Sequence, residues 1–350
     1  MPMPTLATHA PGFSVPALFL SLPSRTSIKA QTPPRPCGTT SQHPHAALDA
    51  GRISWQNSGM QIGVIGDIHG AWDKCDTAFF NQAGYDRLLF AGDLAHITGS
   101  LPVARQLAEL TTPAWVIPGN HDSVTLSQLL AELKARPLAA RLLARRMEHR
   151  VAELATTLGP VTLGGYSRHA LSDELGLIVA RPHAMGPNRL YFRDYLQRRF
   201  DVADFPASTQ RLCALVDQSP RDLVFLAHNG PAGLGDTPDA PFGCDFDPGR
   251  GDFGDPDLAQ AIEHARCTGH RVRAVIAGHM HHCSKHTGEW RRTSARLDDT
   301  LYINAARVPR IEHCGARRHH IRLHVTDDAV AAQELFVAQD GQVVSATPLA

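Results

Sequence analysis

Five short segments carry residues suited to gripping metal ions. In chain order they are Asp67-Ile68-His69, Gly92-Asp93, Gly119-Asn120-His121-Asp122, an isolated His228, and Gly278-His279-Met280-His281. Each follows an apolar run of the kind that forms a buried strand. If the chain stays extended beyond the strand, positions i and i+2 project to the same side. Asp67 and His69 would then grip one ion, and His279 and His281 repeat the spacing. The adjoining glycines permit sharp turns that bring ligands close. Carboxylate, imidazole and amide-oxygen donors together suit Mn, Fe or Zn rather than a thiol-seeking ion. Any one segment is a weak signal, since a lone strand-end histidine is more often a hydrogen-bonded structural residue. The ordered set is far more specific.

The elements that must position these residues alternate along the chain. Buried strands are expected at 61–65, 88–91, 114–117, 161–163, 175–180, 223–227, 272–277 and 301–303. Two late antiparallel strands are expected at 320–325 and 333–338. Helical patterns fall near 73–82, 100–111, 124–156, 207–217 and 255–268. The last should begin at Asp255 as N-cap, with Pro256 at the first helical position and Asp257 in the first turn. Pro137 should kink or split the 124–156 segment. That segment carries Arg136, Arg141, Arg145, Arg146 and Arg150. A solvated face is the expectation, with an RNA- or phosphate-facing patch as the alternative. This alternation argues for an α/β fold with its sites at strand carboxyl ends.

Composition narrows the function classes. The 350 residues carry 34 acidic and 34 basic side chains, so the formal net charge is zero. A protein built around nucleic acid usually has a basic excess, so nucleic acid is not favoured as partner. No apolar run approaches the roughly eighteen residues of a spanning helix, and no membrane partner is expected. Histidine stands out with 20 copies. The 7 cysteines are scattered without a C-x-x-C pair. That spacing favours a reducing, cytoplasmic setting over a disulfide framework. Residues 1–59 differ from the rest, being rich in Pro, Ser, Thr and Ala with Asp49 as their only acid. They are expected to be a disordered extension, either a plastid-type transit peptide or a segment upstream of the folded domain at 60–350.

The ordered ligand set resembles the calcineurin-like metallophosphoesterase superfamily over about residues 67–281. The resemblance implies an αββα four-layer sandwich with its site at one edge. It implies two divalent ions. Asp67, His69 and His281 would hold the first, Asn120, His228 and His279 the second, and Asp93 would bridge both. His121 would stand by the leaving group as acid or transition-state stabiliser. The implied reaction is hydrolysis of a small-molecule or nucleotide phosphate ester by attack of a metal-bound hydroxide. Two divalent ions outweigh the charge of Asp67, Asp93 and one hydroxide, so the site would attract phosphate despite a neutral chain.

Departures from the family pattern narrow the branch. Phosphoprotein phosphatases of this superfamily typically continue G-D with x-x-D-R-G. This chain reads Gly92-Asp93-Leu94-Ala95-His96-Ile97. His96 stands where their dyad aspartate would be, so the usual partner of His121 is missing. Asp122 stands where they have Glu. Protein phosphatase activity therefore falls behind small-molecule hydrolysis. The stretches 228–235, 251–258 and 304–310 are similar to those of a bacterial and plant-type branch. Arg307 and Arg310 are candidates for phosphate contact, with structural pairing as the alternative. The acidic loop at 236–257 is expected to be a solvated wall rather than a calcium loop. His282 and Cys283 merely adjoin the last motif, and His319 and His320 are expected to be structural. Two rival readings remain at this stage: a nuclease or cyclic-nucleotide phosphodiesterase, and a metal-stabilised interaction domain without turnover. Nothing in the sequence marks substrate-binding residues or an oligomeric state.

Overall fold

Runs of β-branched and aromatic residues form the strands, and alternate side chains enter different cores. The computed structural model describes residues 59–350, apart from 245, 247, 248, 250 and 285–287. The expectation for residues 1–59 lies outside the described residues, except at Gly59.

The first sheet holds β1 (Met60–Ile65), β2 (Arg87–Phe90), β3 (Ala114–Val116) and β4 (Thr162–Leu163), paired in parallel. On the other side of β1 it continues antiparallel through β12 (Arg317–Val325), β13 (Val330–Val337) and β14 (Val343–Pro348), with β11 (Ile311–Glu312) against β12. The second sheet runs β5 (Ser167–Ala170), β6 (Leu175–Val179), β7 (Asp222–Leu226), β8 (Arg271–Ala277), β10 (Thr300–Asn304), β9 (Ser294–Leu297). Its four inner strands are parallel and its two edges antiparallel.

Helices cover the outer faces: α1 (Lys74–Gln82), α2 (Leu101–Leu107) and α5 (Met147–Thr157) on the first sheet, and α6 (Arg193–Phe200), α7 (Phe205–Val216) and α8 (Pro256–Cys267) on the second. The alternation shows the layering. Val64, Leu89, Val224 and Ile276 meet between the sheets. Their neighbours Ile65 and Phe90 face Phe80 of α1 and Leu107 of α2. Phe225 and Val275 face Leu212 of α7 and Ile262 of α8. Each such buried side chain contributes roughly 1.5–3 kcal/mol. The result is helix, sheet, sheet, helix, as the resemblance implied.

The helices begin where short polar side chains satisfy free backbone N–H groups. Asp73 caps α1 by accepting from Cys75 and Asp76, and Asp76 reaches back to the Asp73 N–H. Thr125 caps α3 (Leu126–Leu133), and Asp204 caps α7. The 124–156 segment divides into α3, α4 (Pro137–Ala144) and α5, with Pro137 opening α4.

Some expectations fail. Asp255 sits at the N-cap position of α8 but makes no capping bond. Its carboxylate instead pairs with buried Arg181 at 2.8 Å, and Asp257 takes a second Arg181 nitrogen at 2.8 Å. A buried guanidinium competes for these carboxylates more strongly than a neutral backbone N–H. The helix expected at 100–111 stops at Leu107. Strands β5, β9 and β14, together with the two-residue β11 and helix α6, are additions. The first three are sheet edges with half-exposed side chains, so they lack a clear apolar alternation.

Candidate metal centre

The carboxyl ends of β1, β2 and β3 deliver Asp67, His69, Asp93, Asn120 and His121. Those of β7 and β8 deliver His228, His279 and His281 from the other sheet. The chain does not stay extended beyond the strands. Asp67, His69, Asp93 and His279 have φ of 41°, 45°, 50° and 66°. The same-side argument from i, i+2 spacing therefore does not apply; left-handed turns aim these side chains. Each such residue costs on the order of 1–3 kcal/mol, and such strain gathers at functional sites. Hydrogen bonds between loops hold the turns. The His69 N–H donates to the Asp93 carbonyl at 2.8 Å, and the His279 N–H donates to Asp67 Oδ2 at 2.9 Å.

Two clusters result. The ligand atoms of Asp67, His69 and His281 lie within 4.8 Å of one another, as do those of Asp93, His228 and His279. His279 and His281 thus belong to different clusters. His69 Nε2 faces His281 Nε2 at 3.1 Å, and Asp67 Oδ2 lies 3.4 Å from His281 Nε2. Asn120 Oδ1 lies 2.9 Å from His228 Nε2, beside the second cluster. Asp93 Oδ2 lies 3.5 Å from His228 Nε2 and 3.9 Å from His69 Nε2, between the two. Imidazole nitrogens converging on one another beside buried carboxylates form a donor set that fits divalent cations.

Electrostatics agrees with that fit. Asp67 is fully buried, and burial, with Asp93 nearby, pushes its carboxyl up to about 7 against the pull of His228. Burial also works against the charge of Asp93, but His228 outweighs it and holds Asp93 well below the usual carboxylate range. Burial works against His228 too, but Asp93 outweighs it and raises His228 to about 10. Burial holds His69 low and His279 well below its ordinary value, leaving both as neutral imidazoles ready to ligate.

Supporting residues fix the loops. A Cβ on Gly278 would stand 2.5 Å from Asp67 Oδ1, and one on Gly119 would overlap Asp93 Oδ1, so both positions require glycine. Asp122 is buried and accepts from the N–H groups of Leu94, Ala95 and Gly119 and from the Ser100 hydroxyl. It ties the second motif to the third. His121 donates its own N–H to Asp93 Oδ1 at 2.9 Å. Its ring Nδ1 meets the Ile97 carbonyl at 3.0 Å. The Ile97 backbone thus supplies a partner where the family places the dyad aspartate. The exposed His96 ring does not; the His96 carbonyl lies 3.2 Å from His69 Nδ1.

Sequence reasoning missed three contributors. His183 is buried, with Nδ1 bonded to the Gly119 carbonyl at 2.8 Å, and burial lowers it to about 4. Arg291 donates to the His281 carbonyl at 2.7 Å. The Ile97 carbonyl is the third. None has a side-chain signal, because each acts on or through the backbone. Arg307 and Arg310 resolve to structural pairing. Arg307 bonds Glu312 at 2.7 Å and lies over Trp290, and buried Arg310 bonds Asp76 at 2.8 Å. His320 meets the Tyr85 hydroxyl at 2.7 Å and His319 meets Glu334 at 3.1 Å.

A sequence profile described as calcineurin-like phosphoesterase matches residues 60–283. The chain belongs to the calcineurin-like phosphoesterase family. As a member, it has the family's coarse character: a phosphoesterase fold with candidate metal-binding residues. Among curated proteins, none matches it. Solved structures are similar to it at low identity. GAP50 of Plasmodium, described as the anchor in the inner membrane complex, is 11% identical, with TM-score 0.44, 84% of this chain and 89% of that one covered. TT1561 of Thermus thermophilus is 10% identical, with TM-score 0.44 and coverages of 75% and 94%. A single mutant of Vps29 from Entamoeba histolytica is 12% identical, with TM-score 0.35 and coverages of 83% and 100%.

Proposed function

We propose that this family member is a binuclear-metal-dependent phosphoesterase acting on a small-molecule or nucleotide phosphate ester. The observation that carries the reading is Asp93, whose Oδ2 stands between the two clusters, 3.9 Å from His69 and 3.5 Å from His228. Asp67, His69 and His281 would hold one ion, Asn120, His228 and His279 the other, and Asp93 both. When bound, Mn, Fe or Zn would acidify a water and polarise the phosphoryl oxygens. The chain itself supplies position. Asp122 and the glycines keep the loops in register, and the Ile97 carbonyl fixes one ring nitrogen of His121. Because a carbonyl only accepts, Nδ1 carries a proton there, and His121 Nε2 would meet the leaving oxygen as acid or hydrogen-bond donor in the doubly protonated form of the ring. The scattered cysteines favour a reducing, cytoplasmic setting for this activity.

Substituting Asp93→Asn tests the reading. Turnover of aryl phosphates should fall by about a thousandfold or more, on the scale of losing a metal's electrostatic support. Elemental analysis should show depleted metal. Parent-like turnover in the variant would overturn the proposal. Parallel assays on phosphomonoesters, phosphodiesters and cyclic nucleotides then sort the substrate class.

A further inference from the structure

Helices α3 and α4 pack as a hairpin and leave a layer of leucines in solvent. Leu126, Leu130 and Leu133 follow the i, i+4, i+7 spacing of one helix face, and Leu138 and Leu142 repeat the i, i+4 spacing on α4. Leu138 is 82% exposed and Leu142 63%, and the three on α3 are between 43% and 53% exposed. Leu129, Ala131, Ala140 and Ala144 are buried, so the hairpin has an inner face already packed. Scattered exposed leucines need no explanation, but a cluster of this kind marks an interaction surface. The exposed charges of the hairpin itself have one sign. Lys134, Arg136, Arg141, Arg145 and Arg146 are exposed, and Glu132, the sole acid between 126 and 146, is buried.

We propose that this hairpin docks on an anionic lipid surface, its leucines entering the interface and its cations meeting the headgroups. Charge decides the occupant. A second copy seated face to face would set these cations against each other. A single-stranded nucleic acid would engage the cations but offers nothing to aliphatic side chains; such faces carry aromatic stacking platforms, and residues 126–146 contain no aromatic side chain. An anionic bilayer satisfies both halves of the surface. Chain continuity places the hairpin directly after the Asn120-His121-Asp122 turn. Among the described residues no helix is long and apolar enough to cross a membrane. A short amphipathic hairpin lies on a bilayer without crossing it. Docking of this kind involves the bilayer surface alone, and the expectation that no helix spans a membrane holds among the described residues.

The test is sedimentation of the full chain with phosphatidylcholine vesicles containing roughly one part in three phosphatidylglycerol, beside vesicles of phosphatidylcholine alone. Binding to the anionic vesicles is expected, weakening as salt rises. It should fall at least about tenfold in Leu138→Ser/Leu142→Ser and in Arg141→Glu/Arg145→Glu, both confined to exposed residues. Neither variant should change turnover of a soluble aryl phosphate or the melting temperature. Failure of the parent to bind, or parent-like binding by both variants, overturns the proposal. So does a dimer that the leucine variant converts to monomer with no effect on vesicles, which identifies a second copy as occupant. Binding to an oligonucleotide that survives the leucine substitutions, without vesicle binding, identifies a nucleic-acid face instead. Sedimentation needs no turnover, so its failure is distinct from failure of the phosphoesterase reading.

Discussion

Asp67 shows how burial prepares a side chain for a cation. Its raised pKa means that the carboxyl in the metal-free protein holds a proton below about 7. A metal must displace that proton, and His228, raised to about 10, must give up another. Metal affinity should therefore fall as pH drops below 7, by about tenfold per unit for each displaced proton. Asp67 taken alone would give the stability of the metal-free fold the opposite slope. A carboxyl whose folded pKa is raised contributes stability that is complete below its unfolded value of 3.8 and is lost as pH rises through about 7. Asp122, raised by burial to about 6, acts in the same direction. Buried His183, His279, His282, His319 and His320 outnumber these carboxyls: burial lowers each, so each contributes stability that grows as pH rises toward 6.5, and the metal-free melt should rise over about pH 4 to 6.5. Calorimetric titration and thermal melts over this range, with and without metal, check both slopes. A flat affinity profile would show that neither Asp67 nor His228 holds a displaceable proton in the apo protein.

Among the elements, α8 is joined by charge to the segment that follows β6. Arg181, just beyond β6, is buried and bonds both Asp255 and Asp257 at the start of α8. Asn229, next to His228, also donates to Asp255 and to the Phe253 carbonyl. The network sets the loop that follows β7. Arg181→Ala would leave two carboxylates buried without their cation. A loss of about 3–5 kcal/mol in unfolding free energy is expected, measured in urea. The same element scale explains the leucine hairpin. Pro137 and the turn before it break what would be one long helix, so two short helices each bury one face and expose the other.

At the scale of the whole molecule, ligands from two sheets converge at one edge. The first sheet supplies Asp67, His69, Asp93 and Asn120, and the second supplies His228, His279 and His281. Each cluster contains residues from both sheets. A bound ion would therefore cross-link the two halves of the sandwich. Removing metal with a chelator should lower the melting temperature, and restoring it near a hundredfold above its dissociation constant should recover about 2.7 kcal/mol. An unchanged melt, with metal loss confirmed by elemental analysis, would mean that the ligand loops are held by protein contacts alone.

The sequence by itself determined the strand order of the ligands and their chemical types. Asp67, Asp93, Asn120, His228 and the two histidines after β8 were legible because apolar runs and polar strand ends are local patterns. The parallel strands and the helices that cover them were legible for the same reason. The tertiary structure decided what those patterns cannot encode. Sequence spacing alone paired His279 with His281 and the family resemblance separated them; the structure shows how, through a left-handed turn at His279. No residue type announced Ile97 as the partner of His121, because a carbonyl is present at every position and only the loop path selects one. His183 was invisible among 20 histidines until the fold buried it against Gly119. The arginines of 124–156 could be read as a solvated face. Only the packed hairpin showed that leucines share their surface, because burial depends on which faces meet.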